Sequence, residues 1–270
     1  MTLAVSNIAW PAAADYEAEN ILRSSGIAGI EVAPTRLWPG WDGCSPEAGK
    51  SVAGQYAARG FSVPALQAIL FGKAELNLFA TQAERDKLLD HLRLCADLAV
   101  ALGASSLVFG APKNRRPNGL SQETAFGIAR EVFVDIARYY ELRGVYLCLE
   151  ANPPQYGCEF ITNSVDAGRL VRAVNSSGLR LHLDTACMYL AQEDPQEAVR
   201  SNFDVLHHFH VSEPFLGSFD RPVVNHRLVA QTLRELGYSR WVSLEMRETD
   251  TPIPDLRVAA EFLAQNYGGV

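Results

Sequence analysis

Apolar and polar positions along the chain fall into eight short runs of strand length: residues 3–8, 29–32, 63–69, 106–109, 145–149, 179–183, 206–211 and 241–244. Several are continuously apolar rather than alternating, the pattern of strands covered on both faces, as in a parallel sheet. Between them the period changes to that of helices. Residues 83–102 place Leu88, Leu92, Cys95, Leu98, Ala99 and Leu102 on one face, and Gly103 follows as a stop. Residues 123–142 repeat the plan with Ala125, Ile128, Ala129, Val132, Phe133, Ile136 and Ala137, ahead of Gly144. Shorter helical segments are predicted at 14–24, 47–59, 165–174, 195–200, 226–236 and 253–267.

Strand and helix alternate eight times over 270 residues, about 34 residues per unit, which is the repeat of a (β/α)₈ TIM barrel. A single α/β barrel domain over residues 1–270 is therefore predicted. The rival, an open doubly wound sheet, lacks support because no glycine-rich phosphate loop follows any strand.

Composition narrows the picture further. Lys plus Arg number 24 and Asp plus Glu 31, a net charge of −7 that does not suit a phosphate-backbone partner. The five cysteines are odd in number and widely spaced, with no C-x-x-C pair, so neither a disulfide framework nor a zinc knuckle is written here. The N-terminal segment lacks a basic region, and no apolar stretch reaches the ~20 residues of a membrane span. The expectation is a cytoplasmic protein without a nucleic-acid or membrane partner.

In a barrel the chemistry lies at the C-terminal ends of the strands. Here those ends are polar: Glu31 closes the second, Gln67 meets the third, and Glu150, Asp184, His210 and Glu245 close the fifth to eighth. A carboxylate placed directly after apolar strand residues is costly unless paired or metal-bound. Each one alone serves equally well as a cap or an ion-pair partner. Together, on successive strands, they outline a site for a divalent ion, and three carboxylates with one imidazole suit Mn²⁺, Mg²⁺ or Co²⁺, with Zn²⁺ as an alternative. His208 shares the face of His210 and His207 lies opposite, while His182 reads either as core or as a partner of Asp184. Glu31 and Glu213 are candidates for substrate contact or for structure. Lys113, Arg115 and Arg116 read as a phosphate or carboxylate binder or as a solvated turn. Trp10, Trp38, Phe71 and Phe109 are candidates for an apolar wall or for the core. No second cluster of metal ligands is legible.

The segments LEANPPQYGCEF, LHLDTACM, FHVSEPF and WVSLEMR, in this order, resemble the xylose-isomerase-like barrel superfamily, and within it the sugar phosphate isomerase/epimerase group that includes tagatose and psicose 3-epimerases and hydroxypyruvate isomerase. The first half of the chain is similar by barrel pattern alone. The resemblance implies one ion held by Glu150, Asp184, His210 and Glu245, with Glu150 and Glu245 as the catalytic acid/base pair. It also implies a small-molecule carbohydrate substrate and a dimer or tetramer. Glu31, Gln67, Asn152, Cys187, Glu213 and Arg247 are the substrate-contact candidates. Two positions depart from the 3-epimerase pattern: Cys187 stands where a histidine is common, and Leu216 stands at about the place of a sugar-binding arginine. The implied activity is isomerisation or epimerisation of a ketose or related polyol-ketone through an enediolate. Dehydration of a keto-inositol, lyase action on a keto-sugar glycoside, an endonuclease and a non-catalytic sugar-binding barrel are the rivals.

Overall fold

The computed structural model describes residues 1–269. The eight runs become eight strands: β1 (Thr2–Ser6), β2 (Gly29–Glu31), β3 (Ala65–Leu66), β4 (Ser106–Phe109), β5 (Tyr146–Glu150), β6 (Leu179–Asp184), β7 (Leu206–Ser212) and β8 (Trp241–Glu245). All pairings are parallel, in the order β2-β1-β8-β7-β6-β5-β4-β3. Bridges from Gly29 to Ser62 and from Val32 to Leu66 join β2 to β3, so the sheet closes on itself as a (β/α)₈ barrel.

The helices are α1 (Asp15–Ser24), α2 (Pro34–Leu37), α3 (Pro46–Ala58), α4 (Gln82–Leu102), α5 (Gln122–Arg143), α6 (Ser164–Val174), α7 (Thr185–Leu190), α8 (Pro195–Asn202), α9 (His226–Glu235) and α10 (Pro252–Tyr267). They cover the outside of the barrel with the apolar faces read from their period. In α4 those are Leu88, Leu92, Cys95, Leu98, Ala99 and Leu102, all buried. Thr81 and Glu84 form a capping box at its start, and Gly103, at φ 77°, takes the left-handed conformation that ends it without steric cost. Among the described residues, no helix is long and apolar enough to cross a membrane.

Three departures from the sequence reading have local causes. The third strand shrinks to Ala65–Leu66, because Pro64 has no N–H to give a ladder and Ala68, at φ 52°, turns the chain away. The first strand stops at Ser6, whose hydroxyl accepts from the Ile8 amide and starts a 3₁₀ turn over Asn7–Ala9. The seventh runs on to Ser212, which leaves His210 inside the strand rather than at its end. The short helices α2 and α7 carry too little periodicity to be read from sequence.

Candidate metal centre

Parallel register aligns the polar strand ends. Glu150 on β5 lies beside His182 on β6, Asp184 beside His210 on β7, and Ser212 beside Glu245 on β8. Ligand atoms of Glu150, His182, Asp184 and His210 lie within 4.8 Å of one another, and all four residues are buried. Glu245 joins through its Oε2, 3.3 Å from Nδ1 of His210. The four residues expected from the strand ends are thus brought together, with His182 added beneath them.

Neighbouring groups hold these side chains in place. Asp184 accepts from the Cys187 amide (2.7 Å), which makes it the N-cap of α7, and from the Ser212 hydroxyl (2.6 Å). Glu150 Oε2 accepts from Asn152 Nδ2 at 2.9 Å. Asn152 is itself fixed by Arg115, which donates to its Oδ1 (2.8 Å) and to the Glu150 carbonyl (2.7 Å). Gly110 faces this pair: a Cβ there would stand 2.2 Å from Glu150 Oε2, so only glycine leaves room for the carboxylate. On the far side of His210, Glu31 accepts from Nε2 of His210 (3.0 Å) and of His208 (3.1 Å). This carboxylate behind the imidazole directs Nδ1 toward Glu150, Asp184 and Glu245.

The electrostatics describe a donor set with excess negative charge. Burial, followed by the nearby charges of Asp184 and Glu245, pushes the Glu150 carboxyl up to about 8. Burial works against a charged His210, but Glu31 and Glu245 outweigh it and hold its imidazole well above the usual histidine range. The same pairing, against an opposing burial effect, holds Glu31 well below the usual carboxylate range. His210 Nδ1 has no hydrogen-bond partner although it is buried. Three carboxylates and an unpartnered ring nitrogen facing one another fit a hard or borderline divalent ion.

Two expectations follow. An entering ion must displace the protons on Glu150 and His210, so affinity should rise with pH and binding should release protons near neutrality. Titration calorimetry in buffers of different ionisation enthalpy checks this, and affinity that is flat between about pH 6 and pH 9 contradicts it. Glu31→Leu removes one side of a buried charge cluster and should cost about 3–5 kcal/mol in urea unfolding of the metal-free protein. A loss within experimental error contradicts the pairing.

A cavity of about 510 Å³ borders the centre, lined by Glu150, His210, Glu245 and Gln67 together with Ile69, Leu70, Phe71, Ala111, Pro112 and Tyr156. Of the six substrate-contact candidates, Gln67 alone lines it, and its amide donates to the Ser6 hydroxyl. The others lie away from the cavity lining. Glu31 is wholly buried with both oxygens taken by histidines. Asn152 is buried between Glu150 and Arg115. Cys187 lies behind it, 3.6 Å from its amide, and burial, followed by Asp184 and Glu150, keeps the thiol protonated. Glu213 accepts from His226 and from the Val223 and Val224 amides, which shapes the loop after β7. Arg247 is exposed and does not border the cavity.

The loop after β4 differs from both of its expected roles at Arg115, which is wholly buried and braces Glu150 and Asn152. Of the aromatic candidates, Phe71 lines the cavity. Trp10 and Phe109 are core, Phe109 packing edge-on against Phe133, and Trp38 packs half-buried against the core. The reading missed Tyr156, whose hydroxyl accepts from the Phe215 amide at 2.9 Å. A tyrosine in a loop carries no period that would have marked it. It also missed a second group of close ligands, His182, His208 and His210.

Residues 20–266 match the family model described as xylose isomerase-like TIM barrel. No curated protein matches the sequence. Among solved structures, the chain is similar to a D-psicose 3-epimerase crystallised with D-fructose, at 16% identity and TM-score 0.81, with all of both chains covered. It is similar also to the 3-keto-D-glucoside 4-epimerase of E. coli, at 16% identity and TM-score 0.77, over 98% of this chain and 99% of that one. A third is a probable 3-DHS dehydratase from Bacillus anthracis, at 14% identity and TM-score 0.76, over 97% and 98%.

Proposed function

The chain belongs to the xylose isomerase-like TIM-barrel family, and from that membership and the side chains at its barrel mouth we propose a divalent-metal-dependent sugar isomerase or epimerase acting on a ketose or related polyol-ketone. The observation that carries the proposal is the convergence of Glu150, Asp184, His210 and Glu245 beneath a cavity that can admit a sugar. These four residues would hold the ion, with Mn²⁺, Mg²⁺ or Co²⁺ favoured by the carboxylates. A bound ion would supply Lewis acidity, lowering the cost of negative charge on the substrate's carbonyl oxygen as the neighbouring C–H proton leaves.

The remaining work falls to the chain. Glu150 and Glu245 stand on β5 and β8, with the two intervening strands between them, and both border the cavity. One carboxylate takes the proton from the carbon beside the carbonyl, and the other returns it to the same carbon or to its neighbour. Asn152 and Arg115 keep Glu150 aimed at the cavity. Gln67 offers an amide to a substrate hydroxyl, and the apolar wall from Ile69 to Phe71 packs on C–H faces and limits water. The carboxylates disfavour a polyanion in this cavity, which supports a sugar over a nucleic acid.

Incubating metal-loaded protein with a panel of ketoses and keto-sugars, with products read by NMR, tests the proposal. A new isomer or epimer is expected for one class, and none across the panel counts against it. Elimination is the second reading, favoured by the apolar wall, which fits an aglycone. It keeps the same proton abstraction and is distinguished by release of water or of the aglycone.

A further inference from the structure

Barrel interiors are ordinarily packed with layers of branched apolar side chains. Directly below the carboxylates this one is polar. Alternation along β5 to β8 turns Cys148, His182, His208 and Ser243 to the inside, one step beneath Glu150, Asp184, His210 and Glu245. All four of these lower residues are at most 1% exposed. Neither ring nitrogen of His182 has a hydrogen-bond partner, and the same holds for the Ser243 hydroxyl. A buried imidazole with both nitrogens unpaired is costly, because neither the lost hydration nor a protein partner compensates it.

His182 has company that accounts for its position. Ring nitrogens of His182, His208 and His210 lie within 4.8 Å of one another, with ring centroids 4.2 to 5.3 Å apart. Glu31 completes the group through both oxygens. None of His182, His208 and Glu31 borders the cavity, so they take no part in the proton transfers above.

We propose that the barrel interior holds a second divalent ion, below the first, ligated by His182, His208 and Glu31, with Glu31 still accepting from Nε2 of His210. The donors are chiefly imidazole nitrogens, which favour a borderline ion such as Zn²⁺, whereas the upper set is chiefly carboxylate and suits a harder ion. Charge balance agrees. Glu31, Glu150, Asp184 and Glu245 together carry four negative charges when ionised; one divalent ion offsets half of them and two offset all. The second ion is reached through the first site and stays off the substrate, so its role is to hold His210 and lower the cost of the buried carboxylates.

Metal-free protein dialysed against Zn²⁺ and analysed for metal per chain tests the inference without an activity assay. About two ions per chain are expected for the unaltered protein. His182→Leu, whose new side chain matches its neighbours Leu181 and Leu183, should bind about one, and His208→Gln should do the same. Asp184→Asn should also fall to about one, by loss of the upper ion. A single ion in the unaltered protein overturns the second site. So does an unchanged count in both histidine variants, which would put the ion elsewhere, or loss of all metal in both, which would mean one shared site. Failure of the upper site reads differently, as an Asp184→Asn variant with undiminished metal.

Discussion

Exhaustive chelation should abolish turnover, and Mn²⁺, Co²⁺ or Mg²⁺ should restore it. Without a cation, the carboxylates of Glu150 and Asp184, both buried, and of the partly buried Glu245 repel one another, and the Glu150 carboxyl, pushed up to about 8, holds its proton near neutrality. A protonated Glu150 cannot act as a base, and the cavity wall offers no replacement for the Lewis acid: Lys113 is exposed on the loop after β4, and His210 is paired with Glu31. Asp184→Asn and His210→Ala should mainly reduce metal occupancy. Loss of a group that merely orients a ligand costs about 10–100-fold in affinity, so Ser212→Ala, which removes the hydroxyl from Asp184, should fall in that range and the direct ligands beyond it. Full activity in protein verified as metal-free would contradict the assignment.

Glu150→Gln and Glu245→Gln should each lose about 10²–10⁴ in rate while keeping much of the metal. An amide oxygen still coordinates an ion, but it neither takes nor returns a proton at these pH values. The two variants should differ in one respect. Asn152 donates to Glu150 Oε2, so in Glu150→Gln the amide turns its oxygen to that donor and its NH₂ to the place of Oε1, 3.6 Å from Nε2 of His182. Glu245 faces Nδ1 of His210 at 3.3 Å rather than an amide donor, and its variant should perturb metal binding less. Near-normal turnover in either variant would remove that residue from the acid/base pair.

Much of this centre was legible because β-strands make position predictable. A polar residue closing an apolar run marks the mouth of a parallel barrel, and four such ends on consecutive strands face one another once the sheet closes. Glu150, Asp184, His210 and Glu245 were found in this way. The substrate contacts fared less well. Glu31 also closes a strand, but its partners His208 and His210 are 177 and 179 residues away, and only the folded barrel places both imidazoles against it. Arg115 reads equally as an anion binder or as a solvated cation, because it stands with Lys113 and Arg116 in a polar loop; its burial depends on the left-handed turn at Ala111 and on Asn152 after the neighbouring strand β5. His182 could be placed on the face of Asp184 by alternation, yet its distance to His208 rests on the register of β6 against β7, which shifts between Leu181 and His182.

Turnover in D₂O tests the central claim most directly: that this site moves a carbon-bound proton through a carboxylate of the chain. With the metal-loaded protein and a keto-sugar that it converts, mass spectrometry and NMR should find one deuterium at the carbon beside the carbonyl. Incorporation should fall in step with rate in Glu150→Gln and Glu245→Gln. Product formed at full rate with that carbon carrying only protium after repeated turnover would indicate direct hydrogen transfer within the substrate and would contradict the two-carboxylate chemistry.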